Sequence, residues 1–353
     1  MSDSVGVGFL GAGPVTQAIH LPHLAGLSDR LHVAHVMDID AAAAAEVAWR
    51  AGEETRHSTS AGALLDDDDV EIVAICSPHP FHAQQAEAAI RAGKKAVLVE
   101  KPFATTVEDA ERVATLSQAT GVPVIVGAMH TYDPAYLAAA ARWGELPAEA
   151  RHVRSVIQLP PNSRFEALAT QLHGTPSGPP RRDLADPTAR AAAIRGSVLG
   201  LAIHDLPLVR RFLPGIDRVG SAELLVPFGY RITLHGPDGR TAELIGHMGT
   251  DWRPEWTFEV WSASTALDID FTPSYVRAGS AEACLRTPGE RVRFGPHPHN
   301  GYEAEWIHLA DLARGSARPL HTPGDLVADL AYAIDVADRA AAIVSTQGAA
   351  PCP

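Results

Sequence analysis

The stretch VGFLGAGPVTQAIH, Val7 to His20, decides the fold. Its apolar start continues back to Val5, and it breaks at Gly11-x-Gly13 before a segment of helical periodicity over Val15–Leu27. Glycine at 11 permits a tight turn between strand and helix, and glycine at 13 lets backbone N–H groups approach an anion at the helix N-terminus. The third glycine position of such a turn is Thr16, still small enough for helix packing, and Pro14 and Val15 suit a first helical turn. The next apolar run, Leu31–Met37, ends at Asp38. A carboxylate there can hold both hydroxyls of an adenosine ribose and repels a 2′-phosphate, and Ile39 and Asp40 bring no cation. Together these features predict NAD binding in preference to NADP. Gly11, Gly13, Pro14, Val15 and Asp38 are therefore the first cofactor-binding candidates.

Outward from this turn the same grammar repeats. An Ala-rich helix is predicted over Ala41–Ala51, an acidic solvated turn at Asp66–Asp69, and strands at Val70–Cys76, Ala96–Val99 and Val122–Val126. Helices at His82–Ala92 and Val107–Thr120 separate the last three strands. Strands spaced by helices of this length make βαβ units and a doubly wound parallel sheet with both faces covered. After about Gly127 the pattern changes. Arg151–Leu159, Arg218–Pro227, Tyr230–His235, Thr241–Met248, Trp256–Ser262, Ala266–Phe271 and Glu290–Phe294 read as strands, several joined by connections too short for a crossover helix. His173–Ala193 is a Pro/Gly-rich loop running into a helix, further helices follow at Tyr302–Arg314 and Asp325–Ala342, and QGAAPCP is a frayed tail. The expectation is two domains: residues 1–127 bind the dinucleotide, and 128–353 form an α+β substrate-binding and oligomerisation domain with a large, mostly antiparallel open sheet.

Composition limits the function. The chain has 353 residues, 46% hydrophobic and 20% charged, which is globular rather than disordered. A net charge of −13 without a basic cluster argues against nucleic acid. No apolar run approaches the roughly 18 residues that span a bilayer. Met1-Ser2-Asp3-Ser4 has no basic leader pattern, so a cytoplasmic protein is expected. Cys76, Cys284 and Cys352 form neither a disulfide framework nor a zinc spacing.

A second stretch, ICSPHPFHAQQAEAAIRAGKKAVLVEKP, Ile75 to Pro102, gives the chemistry. Its apolar strand Ala96–Val99 ends abruptly in Glu100-Lys101-Pro102. The order Ser77-Pro78-His79, His82, Ala92-Gly93-Lys94 and Glu100-Lys101-Pro102 resembles the Gfo/Idh/MocA oxidoreductases, which include glucose–fructose oxidoreductase and inositol 2-dehydrogenase. His79 stands where that family has Asn. The likeness continues through Val126–Tyr136, His204–Leu213 and the C-terminal GYEAEWIHLADLARG. It implies a Rossmann domain, a substrate domain and a homodimer or homotetramer. It adds Ser77, Pro78, His79, His82, Glu100 and Lys101 to the cofactor contacts. It further implies that Lys101 polarises the reacting oxygen, with a cis peptide before Pro102 in many members.

The family's Asp-x-x-x-His-x-x-Asp motif is altered. His204 matches the base, but Gly200 and Pro207 replace the carboxylates. Asp205 is adjacent, yet consecutive helical side chains diverge, so it makes a poor substitute. Space opposite Gly200 and a pocket less polar than a polyol site are expected, favouring a substrate with fewer hydroxyls than inositol. His130 and Tyr132, with Asn300 and Tyr302 late in the chain, are the substrate-binding candidates. His297 and His299 alternate with proline as loop histidines, and no metal site is expected. The predicted activity is hydride transfer between nicotinamide and a hydroxyl or ketone of a sugar, cyclitol or related molecule, with Lys101 and His204 catalytic. Two alternatives share the cofactor: a glycosidase that oxidises, eliminates and reduces, and an NAD-binding sensor that has lost activity.

Overall fold

The computed structural model describes residues 4–174, 183–249 and 253–347. The chain divides into two compact units, and the division is not a single cut. Met1–Met129 is joined by Phe165–Pro176 and Tyr302–Leu330 in the first unit, and the second comprises His130–Arg164, Ser177–Gly301 and Ala331–Pro353. Two later segments that a boundary at 127 assigns to the substrate domain thus pack with the first strands.

The first unit holds a six-stranded sheet of β1 (Val5–Leu10), β2 (Leu31–Met37), β3 (Arg56–Ser58), β4 (Ile72–Ile75), β5 (Ala96–Val99) and β6 (Val124–Val126). All pairs are parallel, in the order β3-β2-β1-β4-β5-β6. Every residue of β1, β4 and β5 is buried, as expected of strands covered on both faces. The order reverses between β1 and β4, and at such a switch point the carboxyl ends of the strands open a crevice. The short strand β3 escapes the sequence pattern because two of its three residues are exposed. The acidic run is less solvated than expected: Asp67 accepts a hydrogen bond from His35 at 2.8 Å and is also paired with Arg56.

The second unit holds an eight-stranded sheet of β7 (His152–Leu159), β8 (Arg218–Leu224), β9 (Gly229–His235), β10 (Thr241–Met248), β11 (Glu255–Trp261), β12 (Ala266–Asp270), β13 (Glu282–Arg286) and β14 (Arg291–Phe294). The order is β14-β13-β12-β11-β7-β10-β9-β8, antiparallel except for the pair β7–β10. Alternate residues are buried along β9, β10 and β11, which puts one face on the core. The strand β13, EACLR, buries only Ala283 and Leu285 over five residues, too short an alternation for the sequence pattern to mark. The helix following the Pro/Gly-rich loop runs over Pro187–Gly200. Residues 175–182 of that loop and the tail from 348 lie outside the described residues. No single described helix is long and apolar enough to cross a membrane.

Candidate active site

In the first unit the glycine turn joins β1 to its helix. Gly11 has φ of +108°, and a Cβ there would lie 2.7 Å from the carbonyl carbon and oxygen of Cys76. The ends of β1 and β4 therefore meet at a point where only glycine fits. At Gly13 an added Cβ would meet nothing within 4 Å, so the turn is open on that side. Side chains of the first helical turn tie the loop down: Thr16 Oγ1 donates to Gly11 O at 2.7 Å and Gln17 Nε2 donates to Ala12 O at 2.7 Å. Pro14 and Val15 open this helix, which widens to a π-helical turn over Thr16–His20. Asp38 Oδ2 accepts from Ala12 N at 2.7 Å and Oδ1 from Asp40 N at 2.9 Å, so the carboxylate sits at the turn's edge. An open glycine turn at a helix N-terminus with a carboxylate at the end of the next strand fits a dinucleotide.

The Ser-Pro-His and Glu-Lys-Pro turns are linked by His82. Its Nδ1 lies 2.8 Å from Pro102 O and its Nε2 lies 2.7 Å from Ser77 O. His82 is thus an internal tie between two strand ends, while Ser77 Oγ donates to Gln85 at 2.6 Å. His79 starts a short turn on the exposed side of Pro78. Its protonation is disfavoured by burial, then by His82 and Lys101. Lys94, the lysine of Ala-Gly-Lys, is structural: its ammonium donates to Asp67 O and Val70 O at 2.9 and 2.8 Å.

Glu100 is buried and accepts from His20 Nε2 at 3.0 Å and from Lys101 N at 3.1 Å. Burial alone would raise its carboxyl, but His20 and Lys101 outweigh it and hold the group below the usual range. Burial lowers the Lys101 ammonium below the usual lysine value, against the pull of Glu100. The Lys101–Pro102 bond is cis. Behind this pair lies a network absent from the sequence analysis. Trp306 Nε1 donates to His20 Nδ1 at 3.2 Å, which leaves that nitrogen unprotonated and the imidazole proton on Nε2. Burial disfavours the imidazolium, yet Cys76 and Glu100 outweigh burial and shift the imidazole upward, to about 10. The Trp306 N–H can only donate, however, and so holds the ring in its neutral Nε2–H form. Tyr302 packs against His20 and His23 in this unit, at centroid distances of 6.2 and 5.2 Å. Glu305 is fully buried, and its carboxyl is pushed well above the usual value by burial and then by Glu100.

In the second unit, His204 lies in a 3-10 turn, Ala202–His204, between the helices Pro187–Gly200 and Leu206–Phe212. Asp205 points into the core. Its Oδ1 accepts from His130 Nδ1 at 2.7 Å, its Oδ2 from Ser155 Oγ at 2.6 Å, and Trp256 Nε1 lies 3.1 Å from both. Ser155 on β7 is paired with Phe258 and Trp256 on β11 with Ile157, so Ser155 and Trp256 are diagonal neighbours on one face. The His130 ring stacks on Phe271 at 3.6 Å and meets the Trp256 indole edge-on at 4.6 Å. The His204 ring also meets Trp256, at 5.4 Å, and lies 6.4 Å from His130.

Comparison with known proteins fits this arrangement. Residues 5–128 match the family described as an oxidoreductase family with an NAD-binding Rossmann fold, GFO_IDH_MocA. Inositol 2-dehydrogenase of Acidothermus cellulolyticus is 31% identical over 255 residues, covering 70% of this chain and 72% of that protein. The chain belongs to the Gfo/Idh/MocA oxidoreductase family. Inositol 2-dehydrogenase 3 of Saccharopolyspora erythraea is 39% identical over 134 residues, and there the match spans 38% of each chain. A 3-ketoreductase from Actinomadura kijaniata, solved with NADP and TDP-benzene, shares the fold at a TM-score of 0.68 and 20% identity, over 93% of this chain and 95% of its own.

This Gfo/Idh/MocA member departs from expectation at Gly200. There is no open space opposite it: an added Cβ would lie 3.1 Å from the Phe228 ring, which takes the space a carboxylate would need. The divergence of consecutive side chains holds for His204 and Asp205, but its consequence differs. Asp205 serves His130 instead. Tyr132 and Asn300, expected at the substrate, are buried within the second unit. One signal for Asp205 was legible, an acidic residue inside the apolar run AIHDLPLV. Glu305 was legible too, because Tyr302, Glu305, Trp306 and Leu309 fall on one helical stripe.

Proposed function

We propose that this protein is an NAD(P)-dependent oxidoreductase moving a hydride between nicotinamide and a carbinol or ketone carbon of a sugar, cyclitol or related small molecule. The observation that carries the proposal is Lys101, at the carboxyl end of β5 with an ammonium made less basic by burial beside Glu100. Such an amine can donate a hydrogen bond to a reacting oxygen and stabilise alkoxide character, and it exchanges protons nearer neutrality than an exposed lysine. Gly11, Gly13 and Asp38 would hold the dinucleotide, which when bound supplies the hydride acceptor or donor. Asp38 favours NAD through the ribose hydroxyls. His204 is the candidate acid or base. Because Gly200 and Pro207 stand where polyol-oxidising relatives carry carboxylates, the substrate has fewer free hydroxyls than inositol.

The test is a panel of cyclitols, sugars, deoxy sugars, nucleotide sugars and aryl glycosides, each with NAD and NADP, followed by nicotinamide absorbance and product analysis. Net dinucleotide reduction or oxidation with one substrate class supports the proposal. Glycoside cleavage without net redox change would replace it with transient redox chemistry. Tight dinucleotide binding with neither reaction would leave a sensor.

A further inference from the structure

We infer that Trp306 and His20 are positioning residues for Lys101: the indole locks the imidazole in its neutral form, which leaves the full charge of Glu100 to the Lys101 ammonium. The inference rests on the oxidoreductase proposal and deepens it. All four residues belong to the first unit. They are joined by hydrogen bonds in sequence. Trp306 Nε1 donates to His20 Nδ1 at 3.2 Å, His20 Nε2 donates to Glu100 Oε1 at 3.0 Å, and the backbone N–H of Lys101 donates to Glu100 Oε2 at 3.1 Å. His20 and Trp306 are fully buried. An indole N–H can only donate, so the nitrogen it reaches must offer a lone pair. The imidazole is hemmed in on several sides: Phe9 lies 5.9 Å from it, Tyr302 meets it edge-on at 6.2 Å and Trp306 edge-on at 5.5 Å. Glu100 is seated as firmly, because a Cβ at Gly127 would lie 3.1 Å from its carboxyl carbon and from Oε1.

The lock decides where one negative charge acts. Burial opposes a His20 imidazolium, but Cys76 and Glu100 favour it and would prevail without the indole. An imidazolium here would spend the Glu100 charge on His20. Lys101 would then be left with its burial, which favours the uncharged amine. A neutral His20 gives Glu100 the same hydrogen bond without a positive charge, so the pull of the carboxylate falls on Lys101. Glu305, kept un-ionised by burial and then by Glu100, adds no second negative charge. Lys101 thus retains the proton with which it donates to the reacting oxygen. Among the described residues, the titratable groups facing His20 are Cys76, Glu100, Glu305 and Tyr302, and those facing Lys101 are Glu100 and His79.

Two NMR titrations of the full chain without ligand test this. The chain's lysines are Lys94, Lys95 and Lys101, so ¹³C-lysine labelling follows each ε-carbon against pH. Lys101 is assigned by its loss in Lys101→Ala, and the other two serve as internal controls. Long-range proton–nitrogen NMR with ¹⁵N-histidine, with His20 assigned by its loss in His20→Gln, should show a neutral ring protonated at Nε2 near neutral pH. In Trp306→Phe that ring should become an imidazolium, and the Lys101 midpoint should fall by about one pH unit. In His20→Gln, whose amide donates to Glu100 without charge, the midpoint should hold at its original value. Adding His20→Gln to Trp306→Phe should restore it. With the active substrate from the panel, the limb of the reductive rate profile where Lys101 loses its proton should move to lower pH in Trp306→Phe by the same amount. An imidazolium in the unmodified protein overturns the inference, as does a Lys101 midpoint that rises in His20→Gln; neither result depends on how well Trp306→Phe folds. A Lys101 midpoint unmoved in folded Trp306→Phe overturns it as well. Failure of the whole substrate panel would instead remove the oxidoreductase proposal, while the two titrations still decide whether the lock exists.

Discussion

Replacing Gly11 and Gly13 by alanine, one at a time, separates what the turn does for folding from what it does for a ligand. At Gly11 the backbone is left-handed, at about 1–2 kcal/mol for a residue with a Cβ. The new methyl would also lie 2.7 Å from the Cys76 carbonyl and 2.8 Å from Ser77 N. Those atoms are backbone at the end of β4, held by a 2.8 Å bond from Cys76 N to Leu10 O, and cannot turn aside as a side chain does. Strain and overlap together should cost roughly 3–5 kcal/mol of stability. At Gly13 φ is not positive and no atom lies within 4 Å, so the change in stability should stay within about 0.5 kcal/mol. The same methyl fills the approach to the helix N-terminus. Loss of one or two hydrogen bonds to a charged pyrophosphate, about 1.5–3 kcal/mol each, should weaken binding at least about tenfold. Urea unfolding followed by tryptophan fluorescence gives the first quantity, and NADH fluorescence titration gives the second. Gly13→Ala protein that binds NADH as tightly as the original would refute the cradle, and a fully stable Gly11→Ala would refute the close approach of β1 and β4.

Two other substitutions probe separate parts of the first unit. Asp38→Asn keeps an acceptor for Ala12 N but removes the charge, so the ratio of NADP to NAD affinity should rise by about tenfold; an unchanged ratio in paired titrations would count against selection by the carboxylate. Glu305 has its folded value raised above its unfolded value, so it takes up a proton on folding. That stabilisation is complete below the unfolded value and is lost as pH rises toward the folded one, by at most about 1.4 kcal/mol per pH unit. Glu305→Gln keeps the shape without ionising and should gain stability over the original protein as pH rises from about 5 to 9; parallel urea curves across that range would show that Glu305 does not titrate this way.

The parts of the fold that were legible in the sequence are those where one local rule governs. Ala41–Ala51 and Val107–Thr120 match the expected helices residue for residue, because Asp40 and Thr106 cap them and glycine ends both. The parallel strands were legible because burial on both faces makes them continuous apolar runs. Elements with little burial or a single turn, such as Arg56–Ser58 and Ala61–Leu65, leave no such pattern. The same contrast holds at the site. Gly11 and Asp38 depend on neighbours close in sequence or on one strand end. The His130–Asp205 pair spans 75 positions and depends on a turn that sends consecutive side chains to different partners. No spacing rule connects them, and the absence of a carboxylate at 200 said only that His204 had lost one.

The central claim, that this chain performs redox chemistry on a carbon–oxygen bond with Lys101 at the oxygen, is tested most directly by comparing the original protein with Lys101→Ala. Nicotinamide absorbance at saturating dinucleotide and the active substrate gives the rate, and dinucleotide affinity is measured on the same preparations. The expected result is a loss of turnover of at least about 100-fold with affinity changed by less than about threefold. Turnover in Lys101→Ala equal to that of the original protein would contradict the account.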